Sequence, residues 1–103
     1  MKHFLINYRL ENGTPEEWHQ EIARFIAALN GDPDLAGRIT YRCMRRGQGP
    51  EYTHIAGTKD DEANKVLQTR DYFKRYTEQS RRISGNGVEV SPLEFIAETA
   101  RQG

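Results

Sequence analysis

Residues 37–57 read GRITYRCMRRGQGPEYTHIAG, and this stretch decides the fold. Ile39, Tyr41 and Cys43 alternate with Thr40, Arg42 and Met44, the period of a strand running from Arg38 to Arg46. Gly47-Gln48-Gly49-Pro50 is turn chemistry. Beyond it Tyr52, His54 and Ala56 alternate with Thr53 and Ile55 in a second strand, Glu51 to Gly57. Two strands joined by so short a loop form an antiparallel hairpin. A hairpin at the middle of a 103-residue chain leaves room for one helix and one strand on each side.

Those elements are legible. On the N-terminal side Lys2 to Leu10 reads as a strand, with Phe4, Ile6, Tyr8 and Leu10 on one face and His3, Leu5, Asn7 and Arg9 on the other. Thr14-Pro15-Glu16-Glu17 follows the Glu11-Asn12-Gly13 turn and supplies an N-cap, a proline at the first helical position and a capping-box glutamate. Trp18, Ile22, Phe25, Ile26 and Leu29 then form one apolar helical stripe, ended by Asn30-Gly31-Asp32-Pro33. On the C-terminal side Thr58-Lys59-Asp60-Asp61 caps a second helix with Ala63, Val66, Leu67, Phe73 and Tyr76 inward. Arg70 interrupts that stripe. Arg81 and Arg82 suit the helix end, and Gly85-Asn86-Gly87 breaks it. The tail reads as a strand over Val88–Thr99 with Pro92 at a bulge, or as a helix starting at Ser91; the strand gives the sheet a stronger fourth member.

The order is β-α-β-β-α-β, a ferredoxin-like α+β sandwich filling residues 1–103 as one domain. Its helices cover only one face of the sheet, so a homodimer is expected to cover the other. Lys+Arg and Asp+Glu are both 15, which argues for neither a nucleic-acid nor a membrane-surface partner. The single cysteine, Cys43, excludes an internal disulfide, and the cytoplasm is the expected compartment. The apolar run at Phe4-Leu5-Ile6 is too short for a signal peptide, and no segment approaches the roughly 20 apolar residues of a membrane span.

Beyond this order, Leu35-Ala36-Gly37 leads into Ile39-Thr40-Tyr41, and the second helix carries Thr69-Arg70-Asp71-Tyr72-Phe73-Lys74. On these residues nearly the whole chain resembles the dimeric α+β barrel superfamily, in particular its antibiotic-biosynthesis-monooxygenase-like proteins. The resemblance implies two sheets packed face to face and a pocket between each sheet and its helices. It also implies oxidation of small aromatic or quinol-type molecules with no metal or cofactor. The haem-degrading branch uses a first-strand asparagine with a tryptophan and a histidine from the second helix. Asn7 stands at the first position, but Leu67 and residues 77–79 stand where the others would be, which points away from haem degradation.

Cofactor-independent oxygenation needs a base, a dry pocket and hydrogen bonds to a developing anion. His54, between apolar neighbours on a strand, is the candidate base; its alternative is a packing residue. Asn7 and Arg70 are the candidate anion-stabilising groups, by amide hydrogen bond and by guanidinium charge. Tyr8, Tyr41, Tyr52, Tyr72 and Tyr76 are candidate walls of a substrate pocket, or else core and interface residues. His3 and His19 read as solvated, Trp18 as a core anchor, and Arg42, Arg45 and Arg46 as a basic strand end. The three histidines and Cys43 lack metal-ligand spacing, and no phosphate loop, nucleophile elbow or dinucleotide fingerprint is present. The competing function is a non-catalytic dimeric module that binds a small ligand or only self-associates. Convergence of Asn7, His54 and Arg70 on one cavity would favour the enzyme; three side chains pointing in different directions, or no cavity, would favour the module.

Overall fold

The first helix begins where its cap requires. In the computed structural model, which describes residues 1–100, Thr14 is extended and its hydroxyl accepts from the Glu17 amide at 3.2 Å. Pro15 opens the helix, where its missing N–H costs nothing. The elements are β1 (Lys2–Arg9), α1 (Pro15–Asn30), β2 (Ile39–Arg45), β3 (Glu51–Thr58), α2 (Asp61–Thr69), α3 (Asp71–Ile83) and β4 (Glu89–Leu93). The strands form one antiparallel sheet in the order β2-β3-β1-β4, so the two central strands are β3 and β1. The register sets Ile6 and Cys43 on either side of His54, and Tyr8 beside Tyr52.

Alternation then sorts the sheet into two faces. Tyr8, Ile39, Tyr52, His54 and Ala56 are buried on the face that the helices cover. From the helices come Trp18, Phe25, Leu29, Ala63, Leu67, Tyr76 and Ile83. Aromatic rings dominate the contact: Tyr76 is sandwiched between Phe25 and Trp18, stacked at centroid distances of 4.1 and 5.6 Å. Burying each such ring contributes about 2–3 kcal/mol before entropy is counted. On the other face, Leu5, Asn7, Thr53 and Ile55 are only half-buried, and Met44 and Leu93 are exposed.

Two expectations are corrected. The second helix is two helices, broken at Arg70, whose φ of −78° and ψ of 132° are extended. No glycine or proline marks the break. Thr69 closes α2 by donating its hydroxyl to the Val66 carbonyl at 2.6 Å, and the Arg70 carbonyl starts α3 by accepting from Phe73 and Lys74 amides. The tail strand is shorter than Val88–Thr99: β4 ends at Leu93, and residues 94–100 have no regular secondary structure. Residues 101–103 of the expected domain lie outside the described residues. Among the described residues no helix is long and apolar enough to cross a membrane.

Candidate active site

β1 and β3 lie side by side, so Tyr8 and His54, two residues apart in register, share the covered face. There Tyr8 meets α1 through Trp18, and His54 meets α3 through Tyr76. Trp18 Nε1, which can only donate, gives its hydrogen to Tyr8 Oη at 2.7 Å. The Tyr8 hydroxyl lies 2.8 Å from His54 Nε2, and Tyr76 Oη lies 3.2 Å from His54 Nδ1. Every buried side-chain polar atom among the described residues is partnered. The arrangement that uses each hydrogen once runs Trp18 to Tyr8, Tyr8 to His54 Nε2, and His54 Nδ1–H to Tyr76. Burial pushes the His54 pKa down to about 4, so the imidazole is neutral at pH 7. The same burial drives both the Tyr8 and Tyr76 phenols well above the usual tyrosine range and Tyr41 up to about 12. The network is therefore uncharged.

Beside it lies a cavity of about 540 Å³ between the sheet and α2–α3, inside the roughly 300–1,000 Å³ span of small-molecule sites. Its depth is formed by buried groups, among them Tyr8, His54, Leu67 and Tyr76. Its rim is formed by exposed Gln68, Arg81, Asn86 and Val90. Asn64 and Thr77 face it from α2 and α3. Such a site can take an apolar ring in its depth and a polar substituent at its rim.

Four of the residues singled out in the sequence line this cavity: Tyr8, Tyr41, His54 and Tyr76. Asn7, His54 and Arg70 do not converge. Asn7 points to the opposite face of the sheet, where Thr53 Oγ1 donates to its Oδ1 at 2.8 Å. Arg70 turns toward the α1–β2 loop, donating to Asp32 Oδ2 at 2.9 Å and Asp34 Oδ2 at 2.7 Å. Tyr72 joins that cluster with a 2.7 Å bond to Asp32, and burial, followed by the neighbouring carboxylate, pushes its pKa up to about 12. Hydrogen bonds from Arg70 and then Tyr72 hold the Asp32 carboxyl below the usual range. The cluster pins the α2–α3 break and accounts for the interrupted apolar stripe. Tyr52 is stacked 5.4 Å from Tyr8 and bonds His19 at 2.7 Å; His19 is exposed, as expected, and this bond also ties it to a core ring. Tyr52 borders a separate cavity of about 230 Å³ with Ile22, Cys43 and Arg45.

Residues missed in the sequence are Asn64, Gln68 and Arg81. Asn64 and Gln68 follow Ala63 and Leu67 on the same helical face, and that four-residue polar spacing beside the buried pair was the available signal. Arg46 pairs with Glu51 across the hairpin, and Arg45 donates to the Gly49 and Gln48 carbonyls, so the basic strand end is used locally. Among the described residues no group of three or more His, Cys, Asp or Glu side chains could hold a metal ion.

No family model matches the chain, and no curated protein matches it by sequence. Solved structures do. SnoaB, a cofactor-independent oxygenase from Streptomyces nogalater, superposes with a TM-score of 0.67 at 21% identity, covering 99% of this chain and 95% of its own. An antibiotic biosynthesis monooxygenase superposes at 0.71 and 12% identity, covering 94% and 100%. A dimeric ferredoxin-like protein of unknown function from Jannaschia sp. CCS1 superposes at 0.62 and 17% identity, covering 92% and 100%. What these likenesses establish is the architecture: the chain has the ferredoxin-like α+β fold of the antibiotic-biosynthesis-monooxygenase-like structures.

Proposed function

We propose that the protein is a cofactor-independent monooxygenase acting on a small aromatic or quinol-type molecule held in the sheet–helix cavity. One observation carries this reading: an apolar cavity of about 540 Å³ whose depth presents a neutral imidazole flanked by two phenols. In the balanced reaction, a CH₂ made acidic by a neighbouring carbonyl or phenol loses its two hydrogens. Dioxygen supplies the new carbonyl oxygen, and its other atom leaves with those hydrogens as water. The substrate is its own reductant. His54 is the proton acceptor in this reading, reached through the Tyr8 hydroxyl that occupies its Nε2 lone pair. The amides of Asn64 and Gln68 face the cavity and supply hydrogen bonds to the developing anion. Tyr41 and Tyr76 are walls, and the surrounding aromatic core keeps the site dry.

A second reading, binding without turnover, is favoured by a specific observation. An imidazole with a pKa of about 4 takes up a proton reluctantly, and Asn7 and Arg70 lie too far round the fold to assist it. In either reading the active form is a homodimer. Its interface is the uncovered sheet face, where Leu5, Ile55 and Met44 would otherwise meet water.

Oxygen uptake with anthrone and dihydroxynaphthalenes separates the readings. The enzyme reading expects saturable uptake, one dioxygen per product, falling about tenfold or more in His54→Gln. Binding of the same compounds with no uptake above the protein-free rate would leave the non-catalytic module.

A further inference from the structure

Charge is distributed unevenly around the cavity. Among the described residues no aspartate or glutamate lines it, although the chain has 15 of them, and the only arginine or lysine that does is Arg81. Most of the other arginines among the described residues are engaged: Arg9 with Glu11, Arg24 and Arg75 with Glu21, Arg38 with Asp60, Arg46 with Glu51, Arg70 with Asp32 and Asp34, Arg82 with Gln79. The Arg81 guanidinium has no ion pair or hydrogen bond to any described residue. Its place is set by the last turn of α3, where a cation is favoured by the helix carbonyls, and it stands at the exposed rim. Gln68 and Asn86, its neutral companions at the rim, can donate hydrogen bonds but carry no charge. The deep groups, by contrast, are neutral and mutually satisfied, so an anion has no counter-charge there.

From this we infer that the cavity's ligand is an aromatic molecule bearing an anionic substituent, a carboxylate in the first instance, with Arg81 as the specificity-determining residue at the mouth. The inference rests on the ligand-binding reading of the cavity. The ring enters toward Tyr8 and Tyr76, and the carboxylate stays at the rim, where the planar guanidinium offers paired N–H donors. With no net charge on the chain to attract anions from a distance, the preference is made locally, by this contact.

The test uses a matched pair of probes at pH 7, 2-naphthol and 6-hydroxy-2-naphthoate, titrated calorimetrically into the wild-type chain, Arg81→Gln and Arg81→Lys. Wild type is expected to prefer the carboxylate by about tenfold, the size of one charge-assisted contact at a partly solvated rim. Arg81→Gln abolishes that preference while 2-naphthol affinity stays within about twofold; Arg81→Lys keeps part of it, and added salt erodes it. Equal wild-type affinities, or an Arg81→Gln loss shared by both probes, would overturn the inference and leave the cavity reading intact. Failure of both probes to bind wild type would overturn the inference together with the cavity reading. Arg81 is exposed, and an unchanged circular dichroism spectrum checks that both variants are folded.

Discussion

The two faces of the sheet carry neighbouring residues and opposite chemistry. On one, Tyr8 is buried, accepts from Trp18 and contacts His54. One residue earlier, Asn7 lies on the other face, half-buried against Thr53. The inner face joins an aromatic core, a satisfied polar network and a cavity. The outer face offers Leu5, Ile55 and Met44 among threonines, with the Thr53 hydroxyl bonded to the Asn7 amide. Polarity alone thus misdirects: Asn7 drew attention because a mid-strand amide is unusual, while the tyrosine beside it sits at the cavity. Position on the pleat, not residue type, decides which side chain can meet a ligand.

The contrast can be broken most forcefully from the inside. Trp18→Ala removes the fully buried ring stacked on Tyr76 and the donor to Tyr8. It should cost about 3–5 kcal/mol in chemical denaturation; a loss below about 1 kcal/mol would mean that the inner face is not the core. Acid is the next largest perturbation. The folded-state His54 pKa of about 4 lies below the ordinary 6.5, so the unfolded chain binds more protons in that window. Its contribution is present above pH 6.5 and declines as pH falls toward 4, by about 3 kcal/mol in all. His54→Gln should flatten this limb of the stability–pH curve. An unchanged slope would place the titration elsewhere, with Asp32 next in line: its depressed pKa gives stability that is lost only at still lower pH.

Milder changes probe the outer face. Ile55→Lys should leave monomer stability within about 1 kcal/mol yet shift sedimentation from dimer to monomer; a dimer that persists would move the interface off this face. Asn7→Ala should be smallest, about 1 kcal/mol or less for one half-buried hydrogen bond, with affinity for a cavity ligand unchanged. Weakened binding in this variant would erase the distinction between the faces.

Much of this was legible beforehand. Thr14-Pro15 announced α1, the alternations at 39–44 and 52–56 announced the hairpin, and element order led to the sheet. The break at Arg70 was hidden because it is made by tertiary ion pairs to Asp32 and Asp34, distant in sequence, instead of by a local breaker. The interrupted stripe was a true signal with another cause. Arg81 was read as a helix-end charge, which it is; only the packing of α3 over the sheet shows that this end overhangs a cavity. The tail stopped short because β4 pairs with β1 only from His3↔Leu93 to Asn7↔Glu89, and β1 has little strand left to extend the register.

The central claim is that the inner face is where a small aromatic molecule binds. Backbone and side-chain NMR shifts on titration with 2-naphthol test it most directly. The account predicts that the largest changes fall on Tyr8, Tyr41, His54, Leu67 and Tyr76, with Asn7, Thr53 and Ile55 nearly still. Shifts concentrated on Asn7, Thr53 and Ile55 would contradict it.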